Sequence, residues 1–336
     1  MMNGGVNLSL LGNRFTVDFD YYISNTDNML IYSPVESFLG YDYLIENGGS
    51  MQNRGWEVGS FLRLIDTGPF KWDLQLTFST VENEVTFIKG DQLIYEVPGG
   101  EKVNKTGYPA YSFYGYIYQG VYSTEAEAQE AGLVNDKSVA YGAGDAIYAD
   151  LSGPGGTPDG VINEFDKTII GNPLPDYYGG VINSFSFKGF TLSAFLQASS
   201  GQEVFNYVRY QNEKMTGLEN QSQNVLKRWQ YEGQETDVPR ALWEDPIGNS
   251  DFSTRWVEDG SFIRVKFIKL SYTMPSQLLM FKSAEFYASV NNILTVTRYL
   301  GYDPEFAYSY SQMYQGIDYG LTPIPRQFIV GVTLGL

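Results

Sequence analysis

The sequence predicts an all-β fold: the wall of an antiparallel transmembrane β-barrel, present in part, with long loops on one side that hold short helices. Three observations carry this reading. Apolar and polar residues alternate with period two from end to end of the 336-residue chain. Aromatic residues reach 16%, with 27 Tyr, 21 Phe and 5 Trp, more than one compact core can absorb. The connections between alternating stretches are either very tight or very long, as in outer-membrane barrels. A soluble sandwich or solenoid also alternates, so the asymmetry of the connections is what favours the barrel.

Taken in order, RFTVDFDYYIS places Phe15, Val17, Phe19, Tyr21 and Ile23 on one face against Thr16, Asp18, Asp20 and Tyr22. KWDLQLTFS sets Trp72, Leu74, Leu76 and Phe78 opposite Asp73, Gln75 and Thr77. FTLSAFLQAS sets Phe190, Leu192, Ala194, Leu196 and Ala198 opposite Thr191, Ser193, Phe195, Gln197 and Ser199. In FIRVKFIKLSYTMP the parity slips near Phe267–Ile268, as a β-bulge makes it do. EFYASVNN repeats the pattern with Phe286, Ala288 and Val290. The chain closes on PRQFIVGVTLGL, with Phe328, Val330, Val332, Leu334 and Leu336 on the apolar parity. Roughly ten to twelve strands are expected in all.

Tight turns are expected at Asp66-Thr67-Gly68-Pro69 and at Lys188-Gly189. Long connections are expected over 34–50, 86–110, 123–175, 215–255 and 299–325. Two of them hold helical patches. STEAEAQEAGL has Thr124 and Glu127 at capping-box spacing and Gly132 as its stop. ENQSQNVLKRWQYEG carries Val225, Leu226 and Trp229 on one side. No repeat of fixed period runs through the chain.

Composition excludes several chemistries. There is no Cys and no His, which removes disulfides, thiol nucleophiles, His-based triads and the usual zinc sites. A net charge of −17 disfavours a nucleic-acid partner. No run of 18 apolar residues forms a transmembrane helix, and the start lacks a signal-peptide layout. No Gly loop followed by Lys cradles a phosphate. Carboxylates are plentiful, but none sit at a spacing that marks a glycosidase pair.

Several stretches together resemble one family, the SusC/RagA-type TonB-dependent outer-membrane transporters. They are NRFTVDFDYYISNTDNML followed by ENGGSMQNRGWEVG; GYIYQGVYSTEAEAQ; DGVINEFDKTIIGNPLPDYYGGV; NVLKRW; TRWVEDGSFIRVKFIKLSYTMP; and VNNILTVTRYLGYDPE leading to PRQFIVGVTLGL. Each is loose alone, but they follow the family's order and cover nearly the whole chain. The resemblance implies a barrel of about 22 strands in complete members, with an N-terminal plug inside it. On this reading residues 1–336 are the C-terminal part of the barrel, and the plug, TonB box and first strands are absent. The family usually ends on an aromatic residue, from which Leu336 departs.

The resemblance also implies a compact acidic loop that wraps Ca²⁺. In DLSGPGGTPDGVINEFDK, Asp150 would open it, Asp159 and Gly160 would turn it, Val161 would offer its carbonyl, and Asn163 and Asp166 would close it. A Gly/Pro-rich insertion between Asp150 and Asp159 disturbs the oxygen spacing. The alternative is an Asx-rich turn held by its own backbone bonds.

The aromatic-rich loops carry the substrate reading. Tyr308, Tyr310 and Tyr314 would stack on substrate, and Asp318 would accept its hydrogen bonds. YPAYSFYGYIYQGVY brings Tyr108, Tyr111, Tyr114, Tyr116, Tyr118 and Tyr122. For any single one of these tyrosines, an interfacial girdle or loop packing is the favoured account. Arg264, Lys266 and Lys269 lie in a strand where they face the barrel lumen. The function implied is import of an oligosaccharide or peptide across the outer membrane of a Gram-negative bacterium. A SusD-like surface lipoprotein and the TonB complex would be its partners, outer-membrane lipid its surroundings, and the part would be inactive alone. It would not be an enzyme. A surface all-β glycan-binding module and a carboxylate-based glycan hydrolase remain as alternatives.

Overall fold

A computed structural model describes residues 1–35, 38, 40, 41, 43–274, 282–306 and 311–335. The chain opens with β1 (Met2–Leu10), β2 (Phe15–Pro34), β3 (Tyr43–Thr67), β4 (Phe70–Thr80) and β5 (Glu82–Ile88). A long connection holds β6 (Gln92–Val97), β7 (Gly100–Lys105), β8 (Ser112–Gly115), β9 (Tyr118–Val121), α1 (Glu125–Ala131), β10 (Val134–Asn135), β11 (Ala146–Tyr148), β12 (Val161–Ile162) and β13 (Thr168–Gly171). Next come β14 (Tyr177–Phe187) and β15 (Phe190–Ser200). A second connection carries β16 (Glu203–Phe205), α2 (Tyr207–Glu213) and β17 (Val257–Asp259). The chain finishes with β18 (Phe262–Met274), β19 (Ser283–Thr297) and β20 (Gln327–Gly335).

The long strands form one ten-stranded sheet in the order β1-β2-β3-β4-β14-β15-β18-β19-β20, with β5 beside β3. Every pairing in it is antiparallel, so the sheet is a meander. The ten strands fall within the expected number. The turns at Gly68–Pro69 and Lys188–Gly189 stand where the sequence puts them, the second with both residues at positive φ, the geometry a two-residue hairpin needs.

Register shows why alternation runs through the whole chain. One row across the sheet reads Ile65, Trp72, Phe185, Leu192, Leu270, Ala288, Val330. The adjacent row, with side chains on the opposite face, reads Arg63, Asp73, Ser184, Ser193, Lys269, Ser289. The sheet therefore has one apolar and one polar face. On the polar face Arg63 clamps Asp73 through two bonds of 2.8 and 3.2 Å, and Ser184 meets Ser193 at 2.9 Å. On the other face Val330 is 83% and Phe328 78% exposed, with nothing of the described chain covering them.

Two aromatic rows bound the apolar band. Phe70, Phe187, Phe190, Tyr272 and Phe286 lie at the tight-turn end. Phe19, Tyr21, Trp56, Phe78 and Tyr177 lie towards the long connections, with the Tyr21 and Trp56 ring centres 4.3 Å apart and the rings tilted by 40°. Between the rows lies the length of β14, ~34 Å at the usual rise per residue. Tilted by about 40°, that is ~26 Å, the height of an outer-membrane apolar band.

Two expectations need adjusting. The bulge lies one residue earlier than the parity slip suggests: Lys266 is the extra residue, between Val265 and Phe267. The connection expected over 34–50 is mostly strand, because β2 and β3 stay paired as far as Pro34–Tyr43. Shifts of register around Met29, and Asn28 at positive φ, scramble the alternation there and hide the pairing from the sequence.

Most of the buried core lies outside the sheet, in a shell built from the long connections. β6, β7, β8 and β13 make a four-stranded sheet, and three two-stranded ladders stand beside it. Phe113, Phe205, Trp256 and Ile317 form one fully buried cluster drawn from three separate connections. A second gathers Tyr116, Tyr122, Tyr141 and Tyr148 around Ala128 of α1. Helix α1 is set by the capping box of Thr124 and Glu127 and stops at Gly132 in the left-handed region, as expected. The patch at Val225, Leu226 and Trp229 forms only a short 3₁₀ turn over Gln223–Lys227. Val225 is buried, but Leu226 is exposed, and the Trp229 indole turns away to donate to the Ser123 carbonyl at 3.0 Å.

Candidate functional site: a polar cavity in the loop shell

The shell closes around a cavity of about 570 Å³ where α2, the 215–245 segment and the 298–326 connection meet. Arg209 forms its fixed floor. Its Nη1 donates to Glu258 at 2.6 Å and its Nε to Glu213 at 3.3 Å, while its guanidinium lies 5.3 Å from the Trp256 ring centre. Glu213 also accepts from Ser222 at 2.9 Å and Asn224 at 3.0 Å, and Glu258 accepts from the Leu300 N–H at 2.9 Å. Two carboxylates around one guanidinium, each held by further donors, make a rigid and slightly anionic base.

Above that floor the side chains of Asn212, Lys227, Asp237 and Tyr302 line the cavity and take no part in the hydrogen bonds of the described residues. Tyr302 is 78% exposed. An amide, a cation, a carboxylate and an exposed ring at one mouth can meet a polar ligand with both hydrogen bonds and a stacking face. Lys227 and Tyr302 fall in the stretches NVLKRW and VNNILTVTRYLGYDPE, but nothing in the sequence marked any of the four as a ligand residue. They come from segments that only folding brings together.

The substrate residues expected from sequence divide. Tyr308 and Tyr310 lie outside the described residues. Tyr314 packs into the cluster of Phe205 and Trp256 rather than facing the cavity. Asp318 lies at the cavity's edge, but both its oxygens are engaged: Tyr299 Oη donates at 2.6 Å and the Gly320 N–H at 2.8 Å. Burial and the facing Asp318 carboxylate push the Tyr299 hydroxyl up, so it stays a donor. Tyr114, Tyr116 and Tyr122 are buried in loop packing.

The acidic loop is brought together, and it closes on itself. Asp150 accepts from the Gly160 N–H at 2.8 Å, Asp159 from Val161 at 3.0 Å and Asn163 from Phe165 at 2.9 Å. Asp166, wholly buried, takes the Leu151, Ser152 and Asn163 N–H groups at 2.7, 3.1 and 2.9 Å. The second oxygen of Asp150 is buried without a partner, the one atom an ion would satisfy. Ca²⁺ takes six to eight oxygens. Among the described residues no group of three or more acidic ligands is gathered.

The charged strand residues do face the polar side, and two of them tie the shell to the sheet. Arg264, 2% exposed, donates to Thr295 at 2.8 Å, to Glu305 at 2.7 Å and to Asp303. Lys266, displaced by the bulge, adds contacts of 2.7 Å to both oxygens of Glu305. Asp303 also accepts from the Glu305 and Ile324 N–H groups at 2.9 and 3.1 Å. The cluster thus fixes both ends of the 298–326 connection against β18. Lys269 pairs with Glu285 at 3.3 Å.

No protein-family model matches the chain. Among proteins of known assignment it is 31% identical to the TonB-dependent receptor P3 of Formosa agariphila, over 98% of this chain and 33% of that receptor. It is 27% identical to the TonB-dependent receptor SusC of Bacteroides thetaiotaomicron, over 99% of this chain and 31% of that one. Among solved structures it superposes on the RagAB peptide transporter with a TM-score of 0.78 and 25% identity, over 99% of this chain and 34% of that chain. The same transporter in its open-open state gives 0.77. The chain spans about a third of the length of each of these relatives.

Proposed function

We propose, for a chain that is SusC/RagA-type TonB-dependent receptor along nearly all its length and so belongs to the Gram-negative outer membrane, that it forms the loop-bearing C-terminal wall of a nutrient importer. The observation that carries this is the pairing of a two-faced sheet with a folded shell. The apolar face suits lipid, the polar face suits a lumen, and the shell holds a cavity with unengaged polar groups over the lumen's mouth. Such a part binds and positions cargo; the chemistry is recognition, and no bond is made or broken. The plug and the remaining strands would come from the rest of the receptor, since β1 and β20 each have one neighbour among the described residues. A SusD-like lipoprotein would cover the shell, and TonB would act through the plug. The chain alone would not transport.

The substrate we propose is an oligosaccharide. Asn212 and Asp237 suit vicinal hydroxyls, and the exposed Tyr302 ring suits a sugar face. A peptide is the second reading, favoured by the likeness to a peptide transporter. Uptake of labelled oligosaccharides and of labelled peptides by cells carrying the native receptor separates the two. Tyr302→Ala combined with Asn212→Ala should cut uptake of the true cargo by tenfold or more at unchanged receptor abundance. Unaltered uptake of both cargo classes would remove this cavity from the pathway.

A further inference from the structure

The shell holds a second cavity, of about 380 Å³, where the β6–β7 hairpin, β8, α2 and the segment at Asp251–Phe252 meet. It shares no lining residue with the cavity beside Tyr302. Glycines shape its wall: a Cβ on Gly100 would lie 2.8 Å from the Phe252 ring, and one on Gly115 2.4 Å from the Phe252 carbonyl oxygen. Rings of Tyr116, Tyr210 and Phe252 line it, and Glu96, Glu101 and Asp251 set three carboxylates against the single ammonium of Lys167. That ammonium shows how the cavity treats a cation. Lys167 Nζ donates to Glu101 at 2.6 Å and lies 5.7 Å from the Tyr116 ring centre, shared by a carboxylate and an aromatic face.

Asp251 is treated differently from its neighbour Asp245. The turn consumes Asp245, whose carboxylate takes the Asn249 N–H at 2.8 Å, the Ser250 N–H at 2.7 Å and the Ser250 hydroxyl at 2.6 Å. The backbone of Asp251 is clamped on both sides: its N–H donates to the Gly248 carbonyl at 3.1 Å, and its carbonyl accepts from the Trp256 indole at 3.1 Å. Gly248 gives the side chain its room, since a Cβ there would lie 2.5 Å from Asp251 Oδ2. Yet the Asp251 carboxylate, on the cavity wall, accepts no hydrogen bond and forms no ion pair among the described residues. Burial, and then the Asp245 carboxylate, raise its carboxyl to about 7, the mark of a charge held without a counter-charge.

We propose that this cavity binds a protonated primary amine, with its ammonium on Asp251 and its carbon frame against Tyr210 and Phe252. Aromatic rings beside a carboxylate suit an ammonium. A metal ion would ask for several ligating carboxylates together, and the described residues gather no such group. The volume lies at the low end for ligand pockets, which suits one saccharide unit or one side chain rather than a length of protein. The amine chemistry is common to a glucosamine unit and to a lysine side chain. The site goes beyond the cavity beside Tyr302 and stands whichever cargo that cavity takes.

Calorimetric titration of the native receptor in mild detergent at pH 7 tests this with two amines. They are Nα-acetyl-lysine amide and the disaccharide of glucosamine, each set against its N-acetylated, uncharged form. One amine or both should bind, about tenfold or more tighter than the acetylated counterpart, and the amine that binds identifies the source. Asp251→Asn should weaken that amine by about tenfold or more. Glu130→Gln, which removes an exposed charge of α1 outside the cavity, should change it by less than about twofold. Without ligand, Asp251→Asn should leave the shell's unfolding temperature unchanged or higher, because the carboxylate supports no contact; a fall would mark the residue as structural and overturn the proposal. Binding of neither amine, equal binding of amine and acetylated form, or undiminished binding by Asp251→Asn would each overturn it too. Because binding rather than uptake is read, these outcomes are separate from those for the cavity beside Tyr302.

Discussion

Arg264→Met isolates the cluster that fastens the 298–326 connection to β18. The substitution keeps the stem and removes the charge. Glu305 keeps its two 2.7 Å contacts with Lys266, so it is not stranded. Asp303 is different. It is 8% exposed and Arg264 is its only cationic partner among the described residues, leaving it the N–H groups of Glu305 and Ile324. Removing one member of a buried pair costs about 3–5 kcal/mol, most of it from the abandoned charge. The loss is local, because the connection can lift from the sheet while the strands stay paired. Hydrogen exchange on the detergent-solubilised receptor reads it directly: protection of the Glu305 and Ile324 amides should fall by roughly two to three orders of magnitude, at ~1.4 kcal/mol per tenfold. Arg264→Met with Asp303→Asn should recover most of that protection, since the stranded charge is gone. A drop of less than tenfold in the single variant, or a double variant as unprotected as the single, would refute the account.

Lys102 is wholly buried, with its amine donating to the Gln315 carbonyl, and burial brings its pKa down to about 7. The unfolded chain binds this proton up to about pH 10.5, so the folded shell gains stability as pH rises from about 7 to 10.5 and holds level below it. Lys102→Met should therefore raise the shell's unfolding temperature most near pH 6–7, by up to about 4 kcal/mol in stability, with the gain fading towards pH 10; an equal gain at both pH values would count against it. Ile268→Arg, mid-band on the apolar face, should cost about 2–4 kcal/mol of membrane-inserted stability, while Thr77→Arg on the polar face should cost little, both read by urea unfolding in lipid vesicles. Gly144→Ala should loosen the shell, because Gly144 sits at φ +85° and a Cβ would lie 2.5 Å from the Trp229 ring; proteolysis near Trp229 reports it.

The sheet was legible because lipid on one side and water on the other impose the same parity on every strand. Phe190 to Ala198 could be read as a wall strand with no knowledge of its neighbours. Helix α1 was legible because its capping box is local. The 3₁₀ turn at Val225 was not, since Trp229 answers to Gly144 and Ser123, far away in sequence. Strand parity fails where β2 and β3 rise beyond the membrane, because no lipid there enforces it. Cavity residues such as Asn212, Asp237 and Tyr302 stayed hidden for a related reason: three connections must fold together before they become neighbours. Asp318 was read as free because a sequence cannot show that Tyr299 and Gly320 already hold it.

The placement of the core has a consequence for how such a protein can diversify. In most proteins a rigid framework carries stability, and the loops vary freely around it. Here Phe113, Phe205, Trp256 and Ile317, all fully buried, belong to the connections themselves. Drift in those segments risks unfolding the shell before it alters what the shell recognises. New specificity is therefore confined to the few side chains that line a cavity without supporting it. A mutational scan should find the connections less tolerant than the apolar wall, where one greasy residue replaces another with little effect.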